Sequence, residues 1–182
     1  ISEKEKRITA YHEAGHAVVS WYLPTQTEVK EISIVPRGMA GGYTMYKNDE
    51  DKSYISKTEM EEKLIALLGG RAAEQVALGE ISTGASNDIE VATQIARDMV
   101  IKYGMNKEIG TISLKDENGE YQLEMFGLNM GDKIGKEIKQ LLDTAYNDAQ
   151  ALLKEHYDKL EAIAERLLVV EKINAEEFKQ FF

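Results

Sequence analysis

Apolar side chains open the chain at helical spacing: Ile8, Tyr11, Ala14, Val18 and Trp21 fall on one helix stripe. Ser2 with Glu5 makes a capping box ahead of that stripe, and Pro24 stops it, so a helix is predicted to about Leu23. The pattern then shortens. Val29 to Val35 reads as a strand ending at Pro36, and Gly42 to Tyr46 as a second strand after a glycine-bearing loop. The acidic stretch Asn48 to Lys52 reads as surface loop. Ser56 and Glu59 open another helix, carrying Leu64, Leu67, Leu68 and Val76 toward Leu78, with Gly79 as its stop. Asn87 with Glu90 predicts a third helix start, continuing through Ile95 and Met99 to Tyr103, with Gly104 after it. Asn118-Gly119 between Thr111–Leu114 and Tyr121–Met125 signals a hairpin. From Gly131 to Val170 the period is helical again, with a break expected near His156 to Lys159. A last short helix is predicted after Asn174. Helices dominate, and no internal repeat or linker interrupts them.

Length and composition narrow the class. A chain of 182 residues with 43% hydrophobic content suits one domain with a proper core. The net charge of -10 argues against nucleic acid, which requires a basic surface. With no cysteine, disulfides and thiolate metal sites are excluded. No run approaches the roughly 18 apolar residues of a membrane span. The chain starts at Ile1 without methionine, as an excised piece of a longer protein would, so that property is expected of this stretch alone.

The chemistry concentrates in His12-Glu13-Ala14-Gly15-His16, an H-E-x-x-H pattern on the first helix. Imidazoles four residues apart share one helix face and can grip a single zinc ion, and the glutamate between them can take a proton from zinc-activated water. A catalytic zinc takes three protein ligands. The extended pattern that ends in a third histidine is excluded, because Val19 and Tyr22 hold its last two marker positions. His156, the remaining histidine, sits among Lys154, Glu155, Tyr157 and Asp158, the setting of a solvated side chain. A carboxylate is left. Glu74 shares a face with Leu67 and Leu78 and needs a partner if buried. Asp88 follows a small-residue loop, Ser82 to Asn87, and could equally be an ordinary first-turn aspartate. Spacing leaves these two level. Gly41 to Met45 reads equally well as an edge strand that pairs with extended substrate or as an ordinary sheet strand.

Three segments in order, Tyr11–Ala17, Leu67–Glu74 and Ser82–Asp88, strongly resemble the FtsH family of membrane-anchored, ATP-dependent zinc metalloproteases. The resemblance runs over nearly all of the chain, including Pro36-Arg37-Gly38, Gly42-Tyr43-Thr44 and Glu171 to Phe178; it weakens between Glu120 and Lys136. It implies a mainly α (α+β) metallopeptidase domain over residues 1–182, with a small β-sheet near the active site. It also implies one zinc held by His12, His16 and Asp88, with Glu13 as the catalytic base. Glu74 would stand beside the metal and orient a histidine ligand.

The family further implies ATP as a requirement of the parent protein, a homo-hexameric ring, and unfolded polypeptides as substrates. Its members are anchored by upstream membrane segments; the membrane expected is a bacterial inner membrane with this domain on the cytoplasmic side, a mitochondrial or chloroplast membrane being the alternative. Gly131 to Lys136 only superficially matches a phosphate loop, being one residue short and followed by Glu137, so ATP binding by this chain is rejected. The competing expectations are a freestanding zinc peptidase and a non-catalytic, zinc-stabilised oligomerisation domain. An intact Glu13 argues against the latter.

Overall fold

The computed structural model describes residues 1–182. Helix α1 spans Glu3–Trp21, with Ser2 Oγ accepting the Glu5 N–H at 3.1 Å, as the capping box requires. Its first turns are amphipathic, but from Ala10 to Ser20 every residue is buried except Glu13, which is half-buried. Such a helix has neighbours on nearly all sides, and its sequence supplies small residues to admit them. The tightest neighbour is α2, Lys57–Ala73, capped by Ser56. Where the two helices cross, Gly15 meets Gly69 and Ala73, and a Cβ on Gly69 would come within 2.6 Å of Val19 Cγ2. Glycine at both positions therefore sets the interhelical distance.

Helix α2 does not end cleanly. It widens into a π-helical turn over Glu74–Leu78 and stops at Gly79, whose φ of 68° is the left-handed stop that glycine supplies. A 3-10 turn, Thr83–Ala85, leads into α3, Ser86–Arg97, which continues as a second π turn through Lys102. This corrects the helix start expected at Asn87. Ser82 makes the cap instead, accepting the Gly84 N–H at 3.1 Å, and Asn87 sits inside the first turn. Helix α4, Met130–Glu155, and α5, Tyr157–Val170, are separated at His156, within the expected break.

Three strands form one antiparallel sheet in the order β2-β1-β3: β1 is Val29–Ser33, β2 Tyr43–Tyr46 and β3 Lys172–Asn174. Register pairs Ile32 with Thr44 on one side and with Ile173 on the other. Strand β3 was not expected. Three residues with one buried side chain, Ile173, carry too little alternation to register as a period. The short helix predicted after Asn174 is α6, Ala175–Lys179, and Asn174 caps it by accepting the Glu177 N–H.

The hairpin at Asn118-Gly119 is only partly realised. Asp116 accepts the Asn118 and Glu120 N–H groups, and Gly119 turns at φ 79°, but pairing stops at a single bridge, Lys115 to Tyr121. Leu123–Phe126 coils into a 3-10 turn where a strand was expected. Leu114 is drawn instead into a small cluster with Val100, Ile109, Met130 and Ile134. The main core buries 28 residues from all six helices and the sheet, with α1 in its middle.

Candidate metal centre

His12 and His16 lie one turn apart on α1, facing the place where α2 and the start of α3 converge. Each ring is tied at Nδ1. His12 Nδ1 bonds to Glu74 Oε2 at 2.6 Å, and His16 Nδ1 to the Ala66 carbonyl at 2.8 Å. Those bonds make Nδ1 the inward donor, so Nε2 of each ring is the atom left to bind a cation or, without one, to carry a proton toward Asp88. The two Nε2 atoms are 3.1 Å apart, and Asp88 Oδ2 lies 3.2 Å from each. One ligand atom from each of the three residues therefore lies within 4.8 Å of the others.

Two imidazole lone pairs and a carboxylate oxygen aimed at one point repel one another unless a cation or a proton stands between them. The protonation energetics carry the same signature. Burial opposes charge on His12, yet Asp88 and Glu74 outweigh it and hold the ring proton up to about 10. Asp88 is also opposed by burial, but hydrogen bonds from the two histidines depress it well below the usual carboxylate range. Glu74 is lowered as well, by His12 and Ser82 against its own burial. Two nitrogens and one hard oxygen suit zinc, and the donor set fits the three-ligand arrangement that leaves a position open.

Glu74 is 1% exposed, and the π turn carries its carboxylate under His12. Its second oxygen accepts the Ser82 N–H at 2.9 Å, so the small-residue loop does bring its backbone to the site. Leu67 and Leu78, the expected companions on its face, are only half-buried. Gly70 lies directly against the imidazole: a Cβ there would come within 2.6 Å of His12 Cδ2. His156 is not among these groups; its ring stacks on Tyr22 at 3.7 Å, beyond the other end of α1.

The three residues open onto a cleft of about 340 Å³ that is also lined by Glu13, Gly42, Thr44, Tyr46, Leu67 and Asn87. Strand β2 forms one wall and is the sheet's edge, so its outer backbone groups have no strand beside them. The Glu13 carboxylate accepts a hydrogen bond from Thr44 Oγ1 at 2.9 Å. Sequence reasoning missed Thr44, Ala66 and Gly70 as contributors. Ala66 acts through its main-chain carbonyl, which leaves no trace in residue type. Thr44 acts on a residue 31 positions earlier.

The sequence profile of peptidase family M41 matches residues 1–181. The chain is 47% identical, over its whole length, to "ATP-dependent zinc metalloprotease FtsH 1" of Thermoanaerobacter sp. (strain X514), of which the match covers 31%. It is 46% identical to "ATP-dependent zinc metalloprotease FtsH" of Caldicellulosiruptor bescii, with 98% of this chain and 30% of that protein covered. For the FtsH of Thermotoga maritima the figures are 44%, 99% and 31%. The chain thus spans about a third of the length of these curated relatives. With a profile match over nearly every residue and FtsH proteases at this identity, the chain belongs to peptidase family M41 and is of the FtsH type.

Proposed function

We propose that residues 1–182 act as one zinc metallopeptidase domain, the proteolytic part of an FtsH-type ATP-dependent protease. His12, His16 and Asp88 hold the metal and Glu13 serves as the base. The observation that carries this reading is the convergence of His12 Nε2, His16 Nε2 and Asp88 Oδ2 beside a glutamate in an edge-strand cleft. Glu74 and the Ala66 carbonyl keep the two imidazoles in the tautomer that presents Nε2 to the cation. Zinc, when bound, acts as a Lewis acid that acidifies water and polarises the scissile carbonyl. Glu13 accepts the proton at its carboxylate and later delivers it to the departing amine nitrogen, which otherwise leaves as an unstable anion. An extended substrate adds to the open edge of β2, so recognition runs through backbone and tolerates many side chains.

Such tolerance suits unfolded polypeptides as substrates. ATP would be a requirement of the parent protein, whose relatives are named "ATP-dependent". Gly131–Lys136, the stretch that superficially matched a phosphate loop, lies wholly within α4. No helix here is long and apolar enough to cross a membrane. Membrane anchoring in a bacterial inner membrane and a homo-hexameric ring would come from the parent protein, with this domain on the cytoplasmic side. Elemental analysis together with cleavage of an unfolded fluorogenic polypeptide tests the reading. It expects about one zinc per chain, little in Asp88→Ala, and cleavage that a chelator stops and zinc restores. Full zinc in Asp88→Ala would overturn the ligand set.

A further inference from the structure

Strand β2 is pegged to the zinc helix at three points, and the middle one falls on Glu13. Gly42, Thr44 and Tyr46 alternate onto the α1 side of the strand. At Gly42 a Cβ would come 2.6 Å from Thr9 Cγ2, so the strand backbone rests against Thr9. At Tyr46 the phenol oxygen lies 3.3 Å from Ser20 Oγ, which itself bonds to the His16 carbonyl at 2.8 Å. Between them Thr44 Oγ1 stands 2.9 Å from Glu13 Oε1 and 2.9 Å from the Glu13 carbonyl oxygen. Strand and helix run the same way with matching lengths: at about 3.3 Å and 1.5 Å per residue, each segment spans roughly 13–17 Å. One hydroxyl proton serves two acceptors, and the charged carboxylate is the stronger.

We propose that Thr44 is a positioning residue for the base: its hydroxyl holds the Glu13 carboxylate over the cleft. The inference rests on the reading of Glu13 as the base. Because Thr44 sits on the strand that substrate would join, the group that aligns the base and the edge that aligns the substrate are one element. Side chain and scissile bond then keep their mutual distance when β2 shifts. The flanking contacts at Gly42 and Tyr46 hold the strand without help from the hydroxyl, so its removal is a local change.

The test is Thr44→Val, which keeps the branched shape that strands favour, with Thr44→Ser and Glu13→Gln alongside. Each is made in the full-length protein and assayed with ATP on an unfolded fluorogenic polypeptide. Thr44→Val is expected to lower kcat about ten- to hundredfold, the range covered by a hydrogen bond to a charged group. KM and zinc content should stay at parent values, and Thr44→Ser should recover most of kcat. A crystal structure of Thr44→Val should show the Glu13 carboxylate turned from its place over the cleft. An unmoved carboxylate, an undiminished kcat with Glu13→Gln inactive, or equal loss in the serine variant each overturns the positioning role. Activity surviving in Glu13→Gln overturns instead the assignment of the base.

Discussion

Replacing Glu74 by alanine separates a residue that orients a ligand from one that is a ligand. In the parent chain one carboxylate oxygen takes the His12 Nδ1 proton at 2.6 Å and the other takes the Ser82 N–H at 2.9 Å. Truncation leaves both donors in a site that is 1% exposed, where an unmet donor costs about 1–3 kcal/mol. Relief of the buried carboxylate's own desolvation offsets part of this. A net loss of about 2–4 kcal/mol remains, or roughly 4–16 °C in Tm for a chain of this size. Freed to rotate and to change tautomer, His12 should bind zinc about 10–100-fold more weakly, equivalent to roughly 1.4–2.7 kcal/mol. Glutamine is no rescue. If its single amide oxygen faces Ser82, its NH2 faces Nδ1 and drives the His12 proton onto Nε2, where the metal should sit. Competitive titration against a chromophoric zinc chelator gives the affinities, and thermal denaturation gives the stability. Asp88→Ala should lose more zinc affinity than Glu74→Ala. Parent-like affinity in Glu74→Ala would refute the orienting role, and the reverse order of the two variants would make the glutamate the ligand.

Glu13→Gln should keep zinc content and Tm while cutting turnover by at least about 10²–10⁴-fold, the usual contribution of a positioned base; cleavage near the parent rate would remove it from that role. Gly70→Ala drives a methyl into the His12 ring, so zinc affinity should fall and stability drop by about 1–3 kcal/mol, read by the same titration and melting curves. The metal-free chain should lose stability as pH rises from 6.5 toward about 10, because His12 is raised in the folded state and its contribution is complete only below its unfolded value. The depressed Asp88 works in the opposite sense, contributing above its ordinary value and losing that contribution as pH falls, so denaturant titration across pH should show an interior maximum.

Local rules foretold the elements that local chemistry ends. Ser2 and Ser56 each accept the N–H that their spacing promised, a short helix starts after Asn174, and Gly79 stops its helix at positive φ. The H-E-x-x-H spacing likewise put both imidazoles on one face. What spacing left open was set by tertiary structure. Glu74 and Asp88 looked equivalent along the chain, but a π turn sends one under His12 Nδ1, while the 3-10 turn at Thr83 brings the other to Nε2. Strand β3 exists because β1 offers it a partner, with the Ile34 N–H also reaching the Glu171 carbonyl at 3.0 Å. The expected strand after Asn118 fails for want of such a partner, its residues Met125 and Phe126 remaining at the surface.

The seating of α1 has a bearing on when this peptidase comes into being during synthesis. The helix with the two histidines is the first element of the chain, yet its flank is closed by elements near the other end. Arg7 and Tyr11 both bond to Glu165, at 2.9 and 3.0 Å, and Trp21 stacks on Phe182 at 4.3 Å. Contacts this distant in sequence form slowly and only after the intervening chain has emerged. A ribosome would therefore release the whole run of helices before α1 settles into its groove. Hydrolytic competence would arrive as a late event, and an interrupted or truncated product would be left as an inert chain.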